Sequence, residues 1–210
     1  MKRRKLLLGL SATVAGGSAT LGTGAFTTAQ VNREVDMSVV NDSKGLVALI
    51  PNDEVAGVDE GDNGQLSISI TDPGINVNSL YQFGYLTHTY PNITPDWFTV
   101  ETTDDPIGTD TDDFKSAFLI ANQTNSTMSV TFTLDPTSSS SDAGDTRFLF
   151  EIQNSNGKLT EVRYPSQTVA PSLELDPGDA LGVSFVVNAL NGDVGDFFTA
   201  SLEVEAWAVS

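Results

Sequence analysis

His88 is the only histidine of the 210-residue chain, which also lacks cysteine. A Ser-His-Asp triad requires a histidine, but the chain has no G-x-S-x-G nucleophile elbow. A single histidine cannot form the two-histidine sites common for zinc and non-haem iron. The lack of cysteine excludes thiol catalysis, iron–sulfur clusters, cysteine zinc sites and blue copper. We therefore predict a surface or strand-edge histidine and no catalytic residue.

Carboxylates are the most abundant reactive groups, with 28 Asp and Glu residues against 10 Lys and Arg residues. Hydrolysis by two carboxylates is an alternative, although so many acids single out no particular pair. The acidic runs at residues 59–63 and 104–113 could supply the oxygen ligands that Ca²⁺ prefers. Neither run has the D-x-[DN]-x-[DN]-G spacing of a calcium loop, which favours hydrated surface loops. Glycine-rich phosphate-binding motifs are also absent. We predict a protein that is not an enzyme and has no cofactor, with calcium as the alternative.

The sequence also contains sites where sugars could be attached. Four N-x-[ST] sequons begin at Asn41, Asn92, Asn122 and Asn125. On an exported chain these asparagines are candidate glycosylation acceptors in exposed loops. A chain rich in Asn, Ser and Thr produces some sequons by chance, so we expect one or two to be used. Asn122 and Asn125 lie between two apolar segments, which predicts a turn there.

Aromatic residues could form a face that binds sugars. The candidates are Trp97, Trp207, Tyr81, Tyr85 and Tyr90. We favour the alternative that they belong to the core or the rim of the domain. Trp207 alternates with Glu203 and Glu205, so we expect the outer face of the last strand to be covered or contacted.

Alternation of apolar and polar residues dominates the chain and predicts β-strands. It occurs at residues 66–70, 130–134, 148–152, 181–187 and 202–206. One apolar face per strand is typical of antiparallel sheets with one buried side. Residues 46–50 and 118–120 are apolar almost throughout, as in strands covered on both faces.

Turn motifs separate the predicted strands. Asp-Pro-Gly at residues 72–74 and 176–178 fits a type II turn, and Asn156-Gly157 predicts a hairpin. No internal linker is evident. These elements predict an all-β fold, a single antiparallel β-sandwich of jelly-roll or immunoglobulin-like type with about 8–10 strands.

Residues 1–26 have the pattern of an export signal. Four basic residues lie in the first five positions, and an uncharged apolar run follows as far as Phe26. The pair Arg3 and Arg4 favours the twin-arginine route, which carries folded proteins. An apolar run of about 20 residues could also span a membrane, so an uncleaved anchor is the alternative.

Cleavage between Ala25 and Phe26 would release a mature domain. Small residues precede this bond at the positions that a signal peptidase reads, and a cut after Ala29 is the alternative. We therefore expect a signal peptide, residues 1–25, and a secreted β-sandwich domain without a membrane span, residues 26–210.

The expected mature domain is strongly acidic. Residues 26–210 hold all 28 acidic residues but only six basic ones, a net charge of −22 against −18 for the full chain. Such a charge disfavours nucleic acid and anionic membranes as partners. Since 39% of the residues are hydrophobic and the strand pattern is clear, we expect a folded domain adapted to high salt rather than disorder. The composition therefore points to an extreme halophile.

Six segments carry a resemblance to known proteins, namely residues 3–9, 22–27, 33–40, 118–126, 130–134 and 175–179. The first three resemble exported surface proteins of haloarchaea, which in turn resemble the secreted β-sandwich proteins of the TasA/camelysin type. The fourth and fifth resemble that family's unit of apolar strand, Asn-rich turn and apolar strand. The last resembles its late Pro-Gly-Asp hairpin.

Members of that family polymerise into extracellular fibres by donating a strand to the next subunit. The resemblance implies an archaeal cell-surface protein of a fibre or biofilm matrix, with other copies or surface proteins as partners. Residues 31–40 have the alternation of a donor strand, in Val31, Val35, Met37 and Val39. One alternative is that this segment is the first strand of its own sandwich. Another is that the protein is an adhesin or a calcium- or carbohydrate-binding module.

Overall fold

The computed structural model describes most of the chain after residue 33. The described residues are 34–40, 45–60, 66–69, 79–96, 98–108, 113–136, 146–157, 159–190 and 197–209. Several predicted features lie outside them, namely the signal with Arg3 and Arg4, the Ala25–Phe26 bond, Val31, Asn41, Trp97 and the turn at 72–74.

Twelve β-strands and no α-helix occur in the described part of the chain, which confirms the all-β prediction. The strands are β1 Glu34–Val40, β2 Val47–Pro51, β3 Val58–Glu60, β4 Leu66–Ser69, β5 Leu80–Phe83, β6 Phe118–Asn122, β7 Met128–Pro136, β8 Arg147–Asn154, β9 Leu159–Tyr164, β10 Val169–Leu175, β11 Ala180–Asn188 and β12 Phe197–Ala208. They outnumber the eight to ten expected because strands as short as β3 and β5 hold too few residues to show alternation. Among these residues no helix has the length and apolar character needed to cross a membrane.

The strands form two sheets that pack against each other as a sandwich. Sheet A has the order β10-β7-β12-β1-β4-β3, and sheet B has the order β2-β6-β11-β8-β9. The short strand β5 pairs with β11 beyond the end of β6. The pairings within both sheets are antiparallel except that of β1 with β12, which is parallel.

Apolar residues on the inner faces of both sheets form one main core. Phe148, Phe150 and Ile152 alternate along β8 and are fully buried there. Phe150 packs against Phe185 of β11 with ring centroids 5.3 Å apart, and Phe83 of β5 stacks on Phe185 at 4.4 Å. Burying a large apolar side chain contributes about 1.5–3 kcal/mol, so this aromatic group is a main source of stability.

The predicted turns at Asn156-Gly157 and at Asp176 are both present, but only the first forms a hairpin. The Asn156-Gly157 turn joins β8 and β9, which pair antiparallel as predicted. At Asp176 the chain also turns, since the Asp179 N–H donates to the Asp176 carbonyl at 3.0 Å and Gly178 has a φ of +81°. This turn crosses from β10 in sheet A to β11 in sheet B. The expected late Pro-Gly-Asp hairpin is therefore wrong, because a turn at the end of a sandwich can also join its two layers.

A long connection between β5 and β6 covers the outer face of sheet B. We call residues 84–117 the cover loop; its described part contains no named strand. Leu86 and Tyr90 of this loop pack on Leu149 of β8 and Val186 of β11 in a second, smaller core. Both faces of β11 are thus covered, and it is buried at seven consecutive positions although its sequence alternates.

Candidate functional site

The first feature is the position of β1 inside sheet A. β12 lies on one side of β1 and β4 on the other. All seven residues of β1 are aligned with residues of β12, and four of them are also aligned with residues of β4. The first and the last strands of the described chain are therefore neighbours.

Two of the predicted donor residues, Met37 and Val39, are aligned with core positions of the neighbouring strands. In register, Val35 lies beside Phe198, Met37 lies between Ala200 and Ile68, and Val39 lies between Leu202 and Leu66. The neighbours of Met37 and Val39 are at most 3% exposed.

The second feature is a cleft of about 570 Å³ beside β5, where the cover loop leaves sheet B. The turn after β2, the strand β5 and the cover loop all contribute to it. Its lining includes three aromatic residues and three charged residues, Tyr81, Tyr85, Phe98, Glu54, Glu101 and Lys115. The volume lies within the range of about 300–1,000 Å³ that is usual for small-ligand sites.

Tyr85 and Glu101 both line this cleft. Hydrogen bonding with the Glu101 carboxylate, and then its negative charge, raise the pKa of Tyr85. The positive charge of Lys115 acts in the opposite direction, and the negative charge of Glu54 adds to the rise. The Lys115 ammonium also lies 3.4 Å from the carboxylate of Asp113. Charges of both signs therefore surround an exposed aromatic ring.

Two side-chain amides hold the backbone around the cleft. Gln82 donates from Nε2 to the carbonyl oxygens of Gly84 and Glu101, at 2.9 and 2.7 Å, and accepts from the Glu101 N–H at 3.0 Å. Asn52, which is 8% exposed, donates from Nδ2 to two carbonyl oxygens near the end of the cover loop, at 3.1 and 2.8 Å. Because these amides are committed to the backbone, they shape the cleft and leave ligand contacts to other side chains.

Gly84 allows the chain to turn out of the sheet at the cleft. Its φ is +69°, and a Cβ there would lie 2.3 Å from the Ala117 nitrogen and 2.7 Å from Ser184 Oγ. The same Ser184 hydroxyl donates to the carbonyl of Tyr85 at 2.8 Å. The cover loop is thus fixed to β11 at the residue that carries the exposed ring.

The structure distributes the predicted aromatic residues among different environments. Tyr81 and Tyr85 line the cleft, while Tyr90 is 6% exposed and belongs to the smaller core. Trp207 on the last strand is 42% exposed, and so lies at the surface of sheet A. Tyr90 therefore lies in a core as expected and Tyr81 packs against the main core, whereas Tyr85 and Trp207 are exposed.

The candidate glycosylation sites differ in exposure. Asn92 and Asn125 are exposed, whereas Asn122 is 6% exposed. The Asn122 amide nitrogen donates to the Leu175 carbonyl at 3.0 Å, and its oxygen accepts from the Thr124 N–H at 2.8 Å. This asparagine therefore stabilises the turn after β6 in the folded protein.

His88 and the acidic runs form no reactive cluster in the described residues. His88 is exposed, and its Nδ1 lies 2.6 Å from the Thr87 hydroxyl. Among the described residues, which include parts of both acidic runs, no group of three or more His, Asp or Glu residues could hold a metal ion.

The sequence did not indicate that Glu101, Gln82 and Asn52 are parts of a cleft. They are far apart in the chain, and each type is common in loops. One signal was present, since Leu149 and Val186 are apolar residues on the otherwise polar faces of β8 and β11. Apolar residues on an outer face indicate that another segment covers it.

Comparison with known proteins gives no identification. No protein-family model matches the chain, and a search of curated proteins finds no similar one.

Proposed function

We propose that this chain is an exported, non-catalytic structural protein of the cell surface, which assembles with other copies by donating β1. The observation that carries the proposal is the interior position of β1 between β12 and β4. Loss of a strand at the edge of a sheet would leave an unpaired edge on one neighbouring strand. Loss of β1 would instead leave unpaired edges on two strands, β12 and β4.

The gap that loss of β1 would leave between β12 and β4, here called the slot, favours binding of an equivalent strand. Without β1, residues Phe197–Glu203 of β12 would lose the strand aligned with them, and four positions of β4 would lose theirs. The nearly fully buried residues Leu202 and Ile68 lie beside this slot. Unpaired backbone groups and exposed apolar surface are both unfavourable. The β1 strand of a second copy would restore the same register.

Exchange of β1 in one direction would produce an open chain of subunits. If each copy gives its strand to the next, the contact is head-to-tail and repeats without closing. The export pattern of residues 1–26 supports assembly outside the cell, since cleavage would free the segment before β1. The acidic composition supports an environment of high salt.

Cysteine cross-linking tests the proposal, because the native chain has no cysteine. Ser38 of β1 is directly opposite Ser67 of β4 in an antiparallel pair. Opposite residues there lie about 4.5–5.5 Å apart, which a disulfide can bridge. We would mix mature Ser38→Cys and Ser67→Cys proteins in molar salt, oxidise them and separate the products without reducing agent.

Donation predicts disulfide-linked dimers of one Ser38→Cys chain and one Ser67→Cys chain in the assembled fraction. The double variant tests the geometry, since it can form the bond in either arrangement. Ser201→Cys mixed with Asp135→Cys is the matched control, because these opposite residues belong to strands that stay within one subunit. Filaments without mixed disulfides, or only monomers under the electron microscope, would overturn the proposal.

A further inference from the structure

We infer that the cleft beside β5 binds a neutral, hydroxyl-rich sugar unit of a larger carbohydrate. The cleft has a volume of about 570 Å³ and combines aromatic rings with charged groups. Assembly through β1 is not needed for this inference. The cleft is built from the cover loop and segments adjoining sheet B, whereas β1 belongs to sheet A.

Aromatic side chains form the apolar part of the site. Tyr85 is 38% exposed, and Tyr81 and Phe98 are half-buried. The face of an aromatic ring is electrostatically negative. The C–H groups on one side of a sugar ring carry small positive charges and can pack on such a face. Tyr85, as the most exposed of the three rings, is the candidate stacking surface.

The charged groups can both accept and donate hydrogen bonds. Glu101 lines the cleft with Tyr85, and a carboxylate has about four acceptor positions. Glu54 offers a second carboxylate, and the Lys115 ammonium has three donors, with one carboxylate near it at 3.4 Å. Sugar hydroxyl groups donate and accept at the same atom, so they suit a site that offers both functions.

The cleft is preformed to a large extent. Gln82 joins β5 to the segment that carries Glu101 through two hydrogen bonds, and a third holds the Gly84 carbonyl. Ser184 holds the Tyr85 carbonyl, and Asn52 holds the end of the cover loop. Because the segments around Tyr85 and Glu101 are fixed before binding, less conformational entropy is lost when a ligand binds.

Other ligand classes fit the cleft less well. An anion would meet the two carboxylates of Glu54 and Glu101, which exceed the single positive charge of Lys115. A divalent cation would need several oxygen ligands, and no group of three acidic residues or histidines in the described chain is close enough to provide them. A polyamine or another organic cation is the main rival and is tested directly.

The experiment uses the mature protein in molar salt and two kinds of probe. The first is a panel of fluorescently labelled neutral oligosaccharides built from glucose, galactose, mannose and N-acetylglucosamine. The second is spermine, which tests the rival cationic ligand. Binding is measured for the wild type, Tyr85→Ala and Glu101→Ala. Trp207→Ala is the matched control, because it removes an exposed aromatic ring outside the cleft.

We expect saturable binding of at least one oligosaccharide. Tyr85→Ala should weaken it about three- to tenfold through loss of ring packing. Glu101→Ala should weaken it about tenfold or more through loss of charged hydrogen bonds, and Trp207→Ala should have no effect. Thermal unfolding of each variant verifies that the fold is retained.

Three results would overturn the inference. They are the lack of saturable binding to the panel at millimolar concentration, sugar binding that Tyr85→Ala leaves unchanged, and Glu101-dependent binding of spermine but of no sugar.

Discussion

The hydroxyl group of Tyr90 donates a hydrogen bond to the carboxylate of Glu151, although the two residues are 61 positions apart. Glu151 is only 3% exposed and lies on the outer face of β8. It also accepts from the N–H and the hydroxyl group of Thr87, at 2.6 and 2.9 Å. The guanidinium of Arg163 lies 5.4 Å from the centre of the Tyr90 ring. One buried carboxylate thus fastens the cover loop to sheet B.

Tyr90→Phe should destabilise the fold. The change leaves the ring in place but removes one donor from a buried carboxylate. A hydrogen bond to a charged group contributes about 1.5–3 kcal/mol, so the free energy of unfolding should fall by that amount. Chemical denaturation in molar salt measures the change, with exposed Thr89→Ala as the control. Equal stability of Tyr90→Phe and the wild type would contradict this role.

The stability should also depend on pH in the alkaline range. Burial, followed by the bond to Glu151, raises the pKa of Tyr90 above its ordinary value of 10.0. The folded state therefore keeps the Tyr90 proton where the unfolded state loses it. The contribution of the Tyr90 hydroxyl to the free energy of unfolding is fully present below pH 10 and decreases as the pH rises above 10. The wild type should lose more stability than Tyr90→Phe between neutral pH and the range above 10, and parallel losses would argue against the assignment.

Gly84→Ala should be far more damaging than Gly178→Ala. Both glycines have positive φ, +69° and +81°, but only at Gly84 would a Cβ contact other backbone atoms, the closest at 2.3 Å. The left-handed conformation costs about 1–2 kcal/mol for alanine. Displacement of packed backbone should add about 1–3 kcal/mol for Gly84→Ala. Thermal unfolding of both variants tests this difference, and equal losses would show that the turn at Gly84 tolerates a side chain.

Glycans should be found at exposed sequons and not at Asn122. If the twin-arginine route exports the folded protein, only acceptors exposed in the fold can be modified. Asn92 and Asn125 are exposed, whereas the Asn122 amide is buried and bonded at both ends. Peptide mass spectrometry of protein from the native host identifies the modified residues, and Asn125→Gln is the control for the neighbouring pair. A glycan on Asn122 would show that modification precedes folding.

The fold should depend on high salt. A net charge of −22 for residues 26–210 produces repulsion that molar salt screens to about 3 Å. Dilution into low salt should therefore unfold the protein, as measured by circular dichroism. Replacing the exposed residues Glu174, Glu203 and Glu205 together by Gln should lower the salt concentration at the transition midpoint. A melting temperature independent of salt would contradict this prediction.

Local sequence patterns were sufficient to predict the all-β class and several of its parts. Alternation at residues 148–152 corresponds to β8, and Asn156-Gly157 forms the hairpin with β9. These features depend on residues close together in the chain. The apolar run at 46–50 was less informative. It predicted a strand covered on both faces, yet only Val47 is buried, because β2 is the end strand in the order of sheet B.

Long-range pairing was decided only by the tertiary structure. The alternation of Val35, Met37 and Val39 suits a strand in any sheet, and nothing in it specifies a parallel partner or a place between β12 and β4. Strand alternation is a two-residue property, whereas sheet order depends on the packing of the whole chain.

The sequence by itself determined the longer strands, the turns at 156–157 and 176–178 and the acidic character of this protein, because each follows from neighbouring residues or from composition. The cleft depended on the fold, since Asn52, Gln82 and Glu101 come from separate segments and meet only when the cover loop lies on sheet B. The same packing buried Tyr90 against Glu151 and left Tyr85 exposed. Two tyrosines five positions apart therefore have different roles for a reason that only three-dimensional contacts provide.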